Sequence, residues 1–139
     1  MFIKRKLENV IKKGAQQVPV IAIIGPRQSG KSTLAKELFK HHTYLDMQDA
    51  EVFDFAQKDP KGFLNTYANK HGIIIDEAQY APGLFPQIKV EADKNPIPGY
   101  FILSGSQNFL LHEKINESLA GRVYFYHLLP LSIHELYKA

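Results

Sequence analysis

Apolar positions along the chain fall into two arrangements. In one they run together: VPVIAII at residues 18–24 and GIII at 72–75 are short, rich in β-branched side chains and ended by glycine or by charge. Runs of that length are strands buried on both faces rather than helices. Further strands are predicted at 44–47 within HTYLDMQD, within YFILSGSQ at 100–107 and within RVYFYHLLPLS at 122–132, whose alternating aromatic and aliphatic residues describe a core strand. In the other arrangement apolar residues recur every three to four positions. Leu34, Ala35, Leu38 and Phe39 share one face of a helix predicted over 31–40. AEVFDFAQKD (50–59), PKGFLNTYANK (60–70), PGLFPQIKVEADKNP (82–96, a turn and a helix) and NFLLHEKINESLAG (108–121) also read as helical. Pro60 suits a first helical turn, where its missing N–H leaves nothing unbonded. Leu7, Val10 and Ile11 predict one more helix, laying a stripe on its own domain, and SIHELYKA (132–139) reads as a helix start.

Strands that alternate with helical connections of this length are joined by crossovers, so the sheet is mostly parallel and covered on both faces. The predicted fold class is α/β, three-layered. With 139 residues and no linker-like segment, the chain is expected to form a single domain over 1–139, with the helix of 1–14 packed on it.

Charge changes this picture little. The net charge of +3 is concentrated in residues 1–13, where Lys4, Arg5, Lys6, Lys12 and Lys13 face only Glu8. Such a basic arm could contact nucleic acid, but its helical apolar stripe favours packing, so nucleic acid is a minor candidate partner. There is no cysteine, and no apolar run is long enough for a secretory core or a membrane span. A cytoplasmic protein without membrane contact is expected. The six histidines show no metal-ligand spacing.

The chemistry lies where strands end. GPRQSGKS at residues 25–32 satisfies G-x-x-x-x-G-K-[ST] between a predicted strand and a predicted helix. Gly25 and Gly30 allow backbone conformations and close approaches that a Cβ would block, so that N–H groups can converge on phosphate oxygens. The positive end of the helix dipole adds to the attraction. Lys31 would reach the β- and γ-phosphates, Ser32 would place its hydroxyl on Mg²⁺, and Thr33 would support the turn. Pro26, Arg27, Gln28 and Ser29 complete the cradle, with Arg27 bracing the loop or facing a neighbour. A nucleotide is therefore the expected ligand.

Ligands in open parallel sheets sit beyond the carboxyl ends of the strands. There IIID places Asp76, followed at once by Glu77. Asp76 is the candidate metal-shell ligand and Glu77 the candidate base for an attacking water. Ser104, after the apolar FIL, could hydrogen-bond a γ-phosphate or that water, with Ser106 a weaker candidate. Arg122, between a helix end and the fifth strand, could stabilise charge in phosphoryl transfer, or could only meet the last carbonyls of the preceding helix. NKHG at 69–72 lacks the aspartate of a guanine-reading N-K-x-D, and no glycine follows three residues after Asp76, which disfavours a GTPase. Arg5, Arg27 and Arg122 are the only arginines, too few for the lid of a small-molecule kinase.

KRKLENVIKK, GPRQSGKSTL, YLDMQD, IIIDEAQYAPGLFPQIKVEADK, FILSGSQNFLL and ESLAGRVYFYHLLPLSIHEL together resemble the AAA-type ATPases. The resemblance is nearer to a prokaryotic family in which such a domain precedes a C-terminal domain of unknown function. It implies a P-loop NTPase fold with a five-stranded sheet in order 5-1-4-3-2, and ATP and Mg²⁺ as cofactors. It also implies Asp76 and Glu77 as the acidic pair, Ser104 as the sensing position and Arg122 as a candidate finger. In a homo-oligomer Arg122 would act on a neighbour's nucleotide. Members of that family continue through a lid and the extra domain, so a chain ending at Ala139 is expected to lack both. ATP hydrolysis driving a conformational change in a protein partner or in that further region is the leading expectation. The alternative is a nucleotide-dependent switch with negligible turnover.

Overall fold

A computed structural model describes residues 2–26, 29–106 and 108–128. The helices are α1 (Phe2–Gly14), α2 (Lys31–Leu38), α3 (Ala50–Lys58), α4 (Pro60–Tyr67), α5 (Leu84–Lys94) and α6 (Phe109–Leu119). The strands are β1 (Val20–Gly25), β2 (Thr43–Asp46), β3 (Ile73–Asp76), β4 (Phe101–Ser106) and β5 (Val123–His127). A 3₁₀ turn, Ala78–Tyr80, follows β3 directly. The predicted helix start at 132–139 lies outside the described residues.

The strands pair in the order β2-β3-β4-β1-β5, and every pairing is parallel. This is the expected 5-1-4-3-2 sheet. Successive side chains on a strand point to opposite faces, and the apolar runs supply both. Val20, Ala22 and Ile24 of β1 join one core with Ile73, Ile75, Phe101 and Leu103, while Ile21 and Ile23 join the other with Ile74 and Ile102. Phe63, Leu84, Phe85, Ile88, Leu111 and Ile115 cover the first face from α4, α5 and α6. Ile11, Leu34 and Ala35 cover the second from α1 and α2.

Side-chain caps start α3, α4 and α6 on the first face, whereas α5 follows Gly83 without one. Asp49 accepts the N–H groups of Glu51 and Val52 ahead of α3, Asp59 accepts that of Gly62 ahead of α4, and Asn108 accepts those of Leu110 and Leu111 ahead of α6. Each fills donors that the first helical turn leaves unbonded.

Two expectations are corrected. The buried stripe of α1 is Leu7, Ile11 and Gly14, whereas Val10 is 52% exposed. Gly14 belongs to the stripe because a Cβ there would come within 1.9 Å of the Tyr126 hydroxyl. The strand at the C-terminal side is an edge strand rather than a core strand: β5 pairs with β1, and its Tyr124 is 39% exposed.

His42, ahead of β2, has its ring Nε2 bonded to the Gly99 carbonyl and sits close to Gly72. Burial foremost, with His71 and His41 nearby, lowers its pKa from the ordinary 6.5. The folded state then holds the neutral ring while the unfolded chain takes up a proton. Stability is retained above 6.5 and is lost as the pH falls from there through the lowered folded value. Urea denaturation across that range should show this slope, and His42→Gln should flatten it.

Candidate functional site

The carboxyl ends of β1, β3 and β4 lie side by side, and the sequence-predicted residues meet there. Gly25 ends β1 where the chain turns sharply: a Cβ at this position would lie 2.8 Å from Ser29 Oγ and 3.0 Å from Leu128 Cβ. Gly30 holds φ at +87°, left-handed backbone that favours glycine, and opens α2 with its carbonyl accepting the Leu34 N–H. Arg27 and Gln28 lie outside the described residues. Pro26 is half-buried and Thr33 is exposed on the first turn of α2.

Two polar groups in this turn are left without partners. Lys31 is 4% exposed as a residue, and its ammonium makes no hydrogen bond or ion pair among the described residues. Ser29 is 5% exposed, and its hydroxyl has no partner among the described residues. A buried hydroxyl without a partner is costly unless another group completes it, and an unpaired ammonium beside it is free to take an anion. They stand beside a helix N-terminus, where backbone N–H groups and the dipole favour negative charge. This cradle fits a phosphate group.

Asp76 is 4% exposed and accepts four hydrogen bonds. Ser104 Oγ (2.6 Å) and the Glu77 N–H (3.0 Å) donate to Oδ1, while Ser32 Oγ (2.7 Å) and the Tyr44 hydroxyl donate to Oδ2. Three strands and α2 thus converge on one carboxylate. The Tyr44 phenol is pushed well above its ordinary range, by burial first and then by Asp76. Ser104, fully buried, gives its hydroxyl to Asp76. Carboxylate and serine hydroxyl together fit the hydrated shell of a divalent cation.

Glu77 occupies left-handed backbone (φ 56°, ψ 47°), an uncommon conformation for a residue with a side chain and one that gathers at functional sites. Its Oε1 accepts a 2.6 Å hydrogen bond from the Gln79 amide, which also donates to Ser106 Oγ at 3.3 Å. The Gln79 carbonyl oxygen accepts the Ser106 N–H. Gly105 makes room for it, since a Cβ there would lie 2.6 Å from Gln79 Oε1. Beside the acidic pair, Met47, Gln48, Ala50, Phe53 and Tyr80 line a shallow cavity of about 340 Å³.

Arg122 stands apart. It precedes β5, and Val123 pairs with Val20 at the start of β1, so it lies at the amino end of the sheet. Five residues of rise along β1, at about 3.3 Å each, separate that end from Gly25 by roughly 16 Å. Its guanidinium forks onto Asp93 at 2.6 and 3.1 Å and donates to the Ala120 carbonyl at 3.0 Å. Each partner shifts the other, Asp93 downward and Arg122 upward, through that hydrogen bond foremost. Contact between Arg122 and a phosphate held in its own chain's cradle is incompatible with this placement. Arg122→Ala should leave the nucleotide affinity of a monomeric chain within about twofold, as expected for an exposed ion pair, in a titration with ATP.

Residues 17–137 match the family model for the AAA domain designated AAA_14. The chain belongs to this family. Its AAA domain is 32% identical over 127 residues to an uncharacterized protein of Mycobacterium bovis and equally to one of Mycobacterium tuberculosis. These alignments cover 91% of the chain and 28% of each relative, so the chain spans under a third of their length. Among solved structures it resembles the P-loop NTPase domain of the sigma-54 transport activator from E. coli (TM-score 0.58, 11% identity, 94% of each chain). It also resembles a Walker-type ATPase of Pyrococcus abyssi (TM-score 0.56, 17% identity, 93% of this chain and 53% of that one). At such identities the likeness is one of fold, that of the P-loop NTPases. No helix of the described residues is long and apolar enough to cross a membrane.

Sequence reasoning on this AAA domain missed Tyr44 and Gln79. Each bonds an acidic-pair residue from a stretch that carried the family resemblance, YLDMQD and IIIDEAQ, without a role assigned to that position. The β2–β3 register, Tyr44 opposite Ile74, is the signal that could have found the first.

Proposed function

We propose that this AAA domain binds ATP with Mg²⁺ and hydrolyses it, driving a conformational change in a protein partner or in a further region of a longer protein. Lys31, packed into the glycine-rich turn with its ammonium unpaired among the described residues, together with the buried Ser29 hydroxyl that lacks a partner among them, carries the reading. The N–H groups of residues 25–32 and Lys31 Nζ would cradle the phosphates, and Ser32 and Asp76 would hold the cation, Asp76 through water. When bound, Mg²⁺ neutralises the β- and γ-phosphate oxygens. Glu77 would orient a water for attack and take its proton on the carboxylate. Ser104, bonded to Asp76, would orient that carboxylate. Arg122 would act, if on a nucleotide at all, on that of a neighbouring copy in a homo-oligomer.

One observation favours a second reading, a nucleotide-dependent switch with negligible turnover: the Glu77 carboxylate is tied to the Gln79 amide. Phosphate release from ATP in Mg²⁺ separates the two. Turnover that needs Glu77 supports the hydrolase, and tight ATP binding without phosphate release supports the switch.

A further inference from the structure

A carboxylate offers about four lone-pair sites, and in Asp76 all four are taken. Two of the donors are fixed by fold: Ser104 is fully buried in β4, and the Glu77 N–H belongs to the strained backbone beside it. The other two share Oδ2. One is the Ser32 hydroxyl, on the first turn of α2, whose oxygen keeps two lone pairs for a cation while its proton stays on Asp76. The other is the Tyr44 hydroxyl from β2. Its ring lies beneath Lys36 of α2, with Nζ 4.0 Å from the ring centre. Tyr44 therefore spans from the helix behind the glycine-rich turn to the acidic strand.

We infer that Tyr44 is a positioning residue for the divalent cation: it fixes Asp76 Oδ2, which in turn holds the Ser32 hydroxyl with its free lone pairs toward the cation. This rests on the ATP–Mg²⁺ reading above. A tyrosine serving only to pack would need its ring and not its hydroxyl, and phenylalanine would replace it without loss.

The test is the affinity of the chain for ATP, by calorimetry, in Mg²⁺ and in EDTA, for wild type and Tyr44→Phe, with Mn²⁺ binding to the ATP complex followed by electron paramagnetic resonance. Partners that orient a metal's ligands are typically worth about tenfold or more in metal affinity. Tyr44→Phe should therefore weaken Mn²⁺ binding to the ATP complex about tenfold and shrink the Mg²⁺-dependent tightening of ATP by the same factor, while ATP affinity in EDTA stays at the wild-type value. Equal tightening in both proteins overturns the inference, as does equal weakening with and without Mg²⁺, which would mean a purely structural tyrosine. ATP binding by wild type that Mg²⁺ does not tighten removes the cation reading itself, and the inference with it.

Discussion

Glu77→Gln is expected to slow phosphate release from ATP by a hundredfold to ten-thousandfold, on the order of the contribution of a positioned general base. ATP affinity should stay within about twofold, because the change removes a charge without touching the cradle. The substitution is close to isosteric. A glutamine carbonyl at this position can still accept the Gln79 amide hydrogen bond that Glu77 Oε1 accepts now. The left-handed φ of 56° is equally open to glutamate and glutamine, so the turn from β3 into Ala78–Tyr80 need not change. What the variant loses is the capacity to take a proton from water. Single-turnover phosphate release, measured beside ATP binding, reads both quantities. Turnover equal to that of wild type would remove Glu77 from the base role and favour the switch.

Lys31→Met should weaken binding and leave stability nearly unchanged. Loss of charge-assisted hydrogen bonds to phosphate oxygens is expected to weaken ATP binding on the order of a hundredfold. The same substitution replaces a side chain that is 4% exposed as a residue, and whose ammonium makes no hydrogen bond or ion pair among the described residues, by an apolar chain of similar length. The stem stays packed and no ion pair is broken, so the nucleotide-free variant should stay within about 1 kcal/mol of wild type in urea denaturation. A larger loss would mean that the ammonium is stabilised in the free protein.

The strands of the sheet were legible because a parallel sheet covered on both faces demands continuous apolar runs, and residues 18–24, 72–75 and 100–103 supply them. Helix ends were less so. The helix predicted to Lys70 stops at Tyr67, because Ala68 turns to extended backbone and the Asn69 side chain accepts the N–H groups of His71 and Gly72. The first helix faces the core through Gly14, a residue that hydrophobic spacing ignores. The glycine-rich turn was legible because its chemistry is local, eight consecutive residues between a strand and a helix. The Asp76 cluster was only half legible, since Ser32, Tyr44 and Ser104 meet through sheet order and register. Ser104 was read toward a phosphate, and the structure bonds it to Asp76. Arg122 shows the converse. A residue that precedes a strand in a parallel sheet lies at the end opposite to residues that follow one, so Arg122 and Asp76 could not share an end within one chain.

Calorimetric titration of ATP with Mg²⁺ into this chain, beside Lys31→Met, tests the central claim most directly. Saturable binding with one nucleotide per chain, lost or weakened on the order of a hundredfold in the variant, is the expected result. Equal binding by both folded proteins would place the nucleotide outside the cradle, and no binding by the folded wild-type chain would contradict the proposed function.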